Sequence, residues 1–286
     1  MLGSTGLLGQ AVVLEAKARG HRVTGAARKG ADIRLDISDE AALAAFLRAN
    51  DAGMIVNCAG LADIDACEKD PAAARRLNAQ PLAALAEWSR TRDLPLIHVS
   101  TDHFFDGAGP APHDESAPVV LVNEYAKAKH AGERLALASR RALVLRTAIV
   151  GIRGWPAPTL AEWAIDAALN DRPVTLFDDV YTSLIDVTSF ARIMFDLAEK
   201  GATGLLNLGA GAVFSKGDFV REIARQLGRD LTQQAAGAPK FAARRLGALG
   251  LDVRRAEAVA GYSFPKLADV AAAVIRQYRQ AGGAAR

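Results

Sequence analysis

Gly3, Gly6 and Gly9 stand three residues apart at the start of the chain, and the run after them has the spacing of a helix over residues 7–19 that Gly20 closes. No other stretch constrains the fold as strongly. In such a turn the first glycine permits a tight bend, the second lets backbone approach a pyrophosphate, and the third allows close helix packing. The helix N-terminus favours negative charge. The strand that should precede the turn is reduced to Met1 and Leu2, although a doubly wound sheet places that strand at its centre. Either the coding start lies upstream or something unusual fills the gap.

Beyond Gly20 the chain has the rhythm of a parallel α/β sheet. Residues 21–27 read as a strand, and residues 35–37 as a short further one. Between them the acidic residue that would bind a ribose 2′-hydroxyl is missing, and Arg28 and Lys29 stand there instead. Basic groups at this point suit a 2′-phosphate, which favours NADPH with NADH as the alternative; two solvated loop charges are the other reading. Asp36 either hydrogen-bonds an adenine or caps the helix starting near Ser38. Residues 54–60 run from apolar to small, as expected of a buried strand reaching a cofactor, with Asn57 through Gly60 along it. The helix carrying Asn78 comes next, and then a strand at 94–100 whose His98 reads as a packed core histidine. Residues 143–150 form another apolar run.

Past Gly151 the order loosens. A turn-rich stretch at 155–159 leads to a helix ending around Asn170, and residues 174–177 are a strand candidate. Residues 181–187 are an extended link into a helix at 188–199. A strand at 205–208 and helices at 219–227 and 267–278 complete the chain, with a frayed tail after Ala281. The division expected is 1–150 for a cofactor-binding domain and 151–286 for a smaller substrate-binding lobe, some of whose segments return to the first domain.

Composition matters mainly for what it excludes. The 286 residues are 50% hydrophobic and 23% charged, with a net charge of +3, and no basic stripe interleaves with aromatics, so nucleic acid is not an expected partner. Cys58 and Cys67 offer neither a disulfide framework nor metal-ligand spacing and read as reduced thiols of a cytoplasmic protein. None of the five histidines has a partner at metal-binding spacing. No apolar run has the length of a membrane span, and no secretion signal is recognisable.

The chemistry points to Tyr125 and Lys129. Residues four apart on a helix share a face, so phenol and ammonium can enter one site. A free phenol is a poor acid at neutral pH, and a neighbouring lysine cation favours the phenolate and brings its pKa down. Such a pair can protonate a carbonyl oxygen while a hydride reaches the carbonyl carbon. Ser100, Thr101 and Asp102, at the end of an apolar strand, would lie across from it.

Taken together, the glycine turn, Val56-Asn57-Cys58-Ala59 with Asp63 and Asp65, Leu77-Asn78-Ala79, the run from Ile97 to Gly107, Glu115, the run from Asn123 to Glu133, and Arg146-Thr147 resemble an extended short-chain dehydrogenase/reductase. Within that superfamily the chain is most similar to the dTDP-4-dehydrorhamnose reductase group. The resemblance implies a Rossmann-like doubly wound parallel sheet and an NADPH-dependent reductase of a nucleotide-linked 4-keto sugar. It implies Thr101, Tyr125 and Lys129 as catalytic residues: Thr101 hydrogen-bonding the carbonyl, Tyr125 donating the proton, Lys129 holding the nicotinamide ribose. The cofactor residues it implies are Gly3, Thr5, Gly6, Leu7, Leu8, Gly9, Arg28, Asp36, Ile37, Cys58, Ala59, Gly60, Asn78, Ser100, Tyr125 and Lys129. The substrate residues are Thr101, Asp102, His103, Tyr125, Thr147, Ile149 and Tyr181. Asp102 either orients Thr101 or caps a loop. A homodimer is a common form in the superfamily.

The departures lie in the pocket wall. His103, Phe104 and Phe105 replace Tyr-Val-Phe, Ala148 and Ile149 replace Ser-Trp, Thr159 and Leu160 stand near an expected Asn-Phe, and Asp178 to Thr182 compress Asp-Gln-x-Gly-x-Pro-Thr. Kept proton-transfer residues beside a changed wall favour a nucleotide sugar other than that of the rhamnose step. Two further functions carry weight: an epimerase with tightly bound NAD, and a non-catalytic NADP-binding regulatory subunit. A dehydratase would want glutamate where His103 stands.

Overall fold

The computed structural model describes residues 1–107, 109–232 and 243–283. Helix α1 (Leu7–Ala18) starts directly from Gly6. After it, β1 (Ala26–Ala27) pairs in parallel with β2 (Ile33–Arg34). Helix α2 (Glu40–Ala49) is capped by Asp39, whose side chain accepts from Ala42 N–H. Next come β3 (Ile55–Asn57), α3 (Ile64–Lys69), α4 (Pro71–Asn78) and α5 (Pro81–Arg92), the last two each opening on proline, whose fixed φ suits a first helical turn. Strand β4 (Leu96–Val99), helix α6 (Glu124–Ala136) and strand β5 (Ala142–Arg146) come after them.

Leu2 sits at the middle of the sheet. It bridges Ala26 on one side and Asn57 on the other, both in parallel, and donates to Val56 O while accepting from Cys58 N–H. With β9 (Gly204–Asn207) beside β5, the order is β2-β1-Leu2-β3-β4-β5-β9, all parallel, with helices on both faces: a doubly wound sheet, as expected. The central position is thus held by a single residue. Beyond it, at the amino ends of the flanking strands, a cavity of about 450 Å³ opens between Val23, Phe46, Met54 and Trp88, on the far side from Tyr125.

Several strands are shorter than their apolar runs. Of residues 21–27 only Ala26 and Ala27 form a ladder, because the central strand offers no partner farther back. The next strand lies at Ile33–Arg34, not at 35–37. The run 143–150 breaks after Arg146, and β6 (Ile149–Val150) leaves the main sheet to pair with β8 (Ile185–Asp186). Of residues 174–177, Val174 alone forms a bridge, its N–H donating to Thr232 O.

The second half builds a lobe and also returns to the sheet. Helix α7 (Leu160–Leu169) opens with a Thr159/Glu162 capping box and is succeeded by β7 (Tyr181–Thr182). Helix α8 (Val187–Glu199), capped by Asp186, packs on α1. Strand β10 (Phe214–Ser215) runs antiparallel to β7, and β11 (Ala248–Leu249) parallel to it. Helix α9 (Lys216–Leu227) carries a Ser215/Asp218 capping box and closes on Gly228. Helices α10 (Arg254–Ala260) and α11 (Leu267–Tyr278) lead to a π turn over Arg279–Gly283. The expected frayed tail lies mostly outside the described residues. The lobe has its own core, in which Ile165, Phe219, Val270 and Val274 are fully enclosed. No helix among the described residues is long and apolar enough to cross a membrane.

Candidate active site

Helix α6 brings Tyr125 and Lys129 to the carboxyl end of β4. Asn123 starts it, accepting from Ala126 N–H at 2.8 Å while its own amide donates to Arg244 O at 2.8 Å, so the lobe grips the first turn. One turn past Lys129, Glu133 forms a two-bond ion pair with Arg146 of β5, at 3.0 and 2.9 Å, with both side chains almost fully buried. Arg146 also lies over Phe104 and Phe105. At Gly132 a Cβ would meet Asn78 O at 2.3 Å, so α6 and α4 cross at backbone contact. The rotation of α6, and with it the direction of Tyr125, is set on three sides.

Tyr125 is 8% exposed and Lys129 5%. Burial pushes the phenol up to about 12, against a hydrogen bond with Thr101 that draws it down. The expectation that Lys129 lowers the phenol is not met in this geometry: its ammonium donates to Val99 O at 2.7 Å. Burial lowers Lys129 itself to about 8.

Across from the helix, the carboxyl end of β4 delivers Ser100, Thr101 and Asp102, all buried. The Thr101 hydroxyl accepts from His103 N–H at 3.2 Å and lies 3.5 Å from Asp102 Oδ1. Asp102 Oδ2 accepts from Thr182 Oγ1 at 3.2 Å. Asp102 N–H donates to Thr147 O, which ties the strand end to β5. Burial lifts the Asp102 carboxyl to about 7 and pushes the His103 imidazole down to about 3. The His103 ring stands edge-on to Tyr125 at 5.9 Å. The hydroxyls of Ser100 and Thr147 are buried and have no hydrogen-bond partner among the described residues. Buried polar atoms are rarely left so.

The glycine turn has the shape of a ligand cradle. Gly3 has φ +74°, and a Cβ there would meet Ala59 N at 2.7 Å; a Cβ on Gly9 would meet Gly3 O at 2.0 Å. Helix α1 has no side-chain cap, so the N–H groups of its first turn have no side-chain acceptor from Gly6. That arrangement fits the pyrophosphate of a dinucleotide. Thr5 and Leu7 flank the turn, whereas the Leu8 and Ile37 side chains pack into the two cores beneath the sheet. Arg28 is exposed at the end of β1 and lies near enough to Asp36 to lower its pKa. Asp36 neither caps α2 nor stands open: its Oδ1 accepts from Ser38 N–H and Oγ. Cys58 and Ala59 come directly after β3. Asn78 closes the Gly60 loop, accepting from Leu61 N–H at 2.8 Å and donating to Leu61 O at 2.9 Å. His98 is buried against Asn57 and stays neutral.

Ile149 on β6 and Tyr181 on β7 line the lobe side. Two residues there carry no signal in the sequence, Lys216 and Arg245, and Thr182 is marked only as the end of the compressed stretch 178–182. The charges of Asp102 and Arg245 both act on the Lys216 ammonium. Their approach depends on the β7–β10 ladder, which joins segments with no spacing signal between them. No cluster of metal-ligating side chains is present among the described residues.

The family described as the RmlD substrate binding domain matches residues 1–280. A probable low-salt glycan biosynthesis reductase of Haloferax volcanii is 29% identical over 286 residues, 95% of each chain. A dTDP-4-dehydrorhamnose reductase of Mycobacterium tuberculosis is 33% identical over 222 residues, 73% of this chain and 72% of that one. Among solved structures, dTDP-4-dehydrorhamnose reductase from Bacillus anthracis in complex with NADP has the same fold, with a TM-score of 0.83 at 18% identity over 96% of each chain.

Proposed function

The chain belongs to the RmlD substrate-binding domain family of extended short-chain dehydrogenase/reductases, and from that premise we propose that it is an NADPH-dependent reductase of a nucleotide-linked 4-keto sugar, with Tyr125 as proton donor. It is an NAD(P)-dependent oxidoreductase, and relatives that span most of its length are sugar-nucleotide reductases by name. The observation that carries the finer reading is the burial of Thr101, Tyr125 and Lys129 together at the carboxyl end of β4, beside two hydroxyls that have no partner among the described residues.

In this reading residues 1–150 hold the dinucleotide and residues 151–286 mainly the substrate. The turn at Gly3, Gly6 and Gly9 takes the pyrophosphate, and Arg28 the 2′-phosphate. Cys58, Ala59 and Gly60 border the groove, and Ser100 and Lys129 hold the nicotinamide end. The bound cofactor supplies the hydride. Thr101 donates a hydrogen bond to the substrate carbonyl oxygen and so favours the charge that gathers there. Tyr125, protonated at neutral pH, gives that oxygen its proton. The Thr101 hydrogen bond, which draws the phenol down, stabilises the phenolate left behind, while Lys129, still mostly charged below about pH 8, holds the nicotinamide ribose. Asp102 fixes the Thr101 hydroxyl, and Thr147, Ile149, Tyr181 and His103 line the sugar pocket. Burial of Ser100, Thr101, Asp102, Tyr125 and Lys129 keeps water from the reacting groups.

The test is to mix the purified protein with NADPH and dTDP-4-keto-6-deoxyglucose and follow both NADPH absorbance and the product. Stoichiometric NADPH consumption with a dTDP-6-deoxyhexose bearing a 4-hydroxyl is expected. Retention of NADPH with an epimerised sugar would replace this reading.

A further inference from the structure

Lys216 is the first residue of α9, and the backbone around it is held on two sides. The β7–β10 ladder sets Phe214 opposite Thr182 and Ser215 opposite Tyr181, and Lys216 N–H donates to Val180 O at 2.9 Å. At Gly217 a Cβ would meet Asp178 Oδ1 at 1.9 Å, so that carboxylate closes against the helix start. Asp178 in turn pairs with Arg221 at 2.7 Å. Held in this way, the half-buried Lys216 side chain is near enough for its charge to act on Asp102 and His103, with no ion pair to Asp102, and Arg245 acts on it in turn.

Among the described residues its Nζ has no hydrogen bond and no ion pair. On an open surface that would mean little. A partly buried ammonium, however, gives up hydration and gains nothing unless an anion meets it. The neighbours are poorly suited to that. Asp102 Oδ2 already accepts from Thr182, Oδ1 faces Thr101, and burial leaves the carboxyl only partly ionised at neutral pH. Arg245 adds positive charge and is itself bonded to Asp65 at 3.0 Å. The result is a partly buried cation without a hydrogen bond or ion pair among the described residues, offset only by a partly ionised Asp102, on the lobe side of Thr101 and Tyr125, where a sugar would sit.

We propose that Lys216 binds a negatively charged oxygen of the substrate adjacent to the sugar ring. Two groups carry such an oxygen there: the diphosphate of any nucleotide sugar and the carboxylate of a uronic acid. This inference rests on the reading of the pocket as a nucleotide-sugar site and adds a specificity-determining residue to it.

The experiment is calorimetric titration of the full chain, saturated with NADP, with dTDP, UDP-glucose and UDP-glucuronate. Wild type is compared with Lys216→Met and Lys216→Arg. Loss of a charge-assisted hydrogen bond is expected to weaken binding to the Met variant by about tenfold or more, with the Arg variant recovering most of it. Melting temperature and NADP affinity should stay close to wild type, since the ammonium makes no hydrogen bond or ion pair among the described residues. Equal losses for all three ligands assign the diphosphate; a loss confined to UDP-glucuronate assigns the carboxylate. In turnover, KM should rise with kcat nearly unchanged. Wild-type affinities in the Met variant would overturn the proposal, as would failure of wild type to bind any of the three. Should wild type bind them and lose affinity on substitution yet reduce no keto sugar, the reductase reading falls and the assignment of Lys216 stands.

Discussion

Asp102 is 2% exposed between Thr182 and Thr101, and burial lifts its carboxyl to about 7 although Lys216 and both hydroxyls draw it down. An aspartate in the unfolded chain titrates near about 4. The native state therefore binds more protons than the unfolded one between those values, and this group's contribution to stability falls as pH rises through that window. Asp102→Asn should flatten that part of the stability profile, measured by urea unfolding at intervals from acid to neutral pH. A slope equal to that of wild type would mean that Asp102 ionises freely. Arg28 allows a second test at this scale. Arg28→Ala should raise the KM for NADPH by about tenfold and leave NADH unaffected, as expected for loss of one charge-assisted contact. No change for either cofactor would make Arg28 a solvated loop charge.

At the scale of elements, α6 matters most, because it holds the Tyr125 phenol opposite Thr101. Glu133→Gln leaves the buried Arg146 without its counter-charge and should cost about 3–5 kcal/mol. Asn123→Ala removes a cap and should cost about 1 kcal/mol; the denaturant midpoints of the two variants should fall in that order. The periodicity of these elements is largely readable in the sequence: α1, α7, α8 and α11 lie within a few residues of expectation. Strand ends are not. An apolar run says that a segment is buried, and a ladder needs a partner, which is why residues 21–25 are not a strand and why 143–150 is divided between two sheets. The Tyr125/Lys129 spacing and the Ser100-Thr101-Asp102 run are legible because each is local. The approach of Thr182 and Lys216 to Asp102 is not, since it depends on a strand pair formed late in the chain.

Across the whole molecule, the sheet and the lobe are interlocked. Strand β9 completes the sheet, α8 covers α1, and Asn207 bonds Glu115, His113 O and Asp252 O in a three-way junction of distant segments. One cooperative unfolding transition is expected, and NADPH at about a hundred times its Kd should raise stability by about 2.7 kcal/mol. Two separate calorimetric transitions, with the cofactor acting on one alone, would argue instead for independent halves. The central claim concerns a single proton. Single-turnover reduction of dTDP-4-keto-6-deoxyglucose by Tyr125→Phe, with NADPH affinity measured on the same preparation, tests it most directly. The predicted result is a rate lower by about 10²–10⁴-fold with NADPH binding intact; a rate within about threefold of wild type would contradict it.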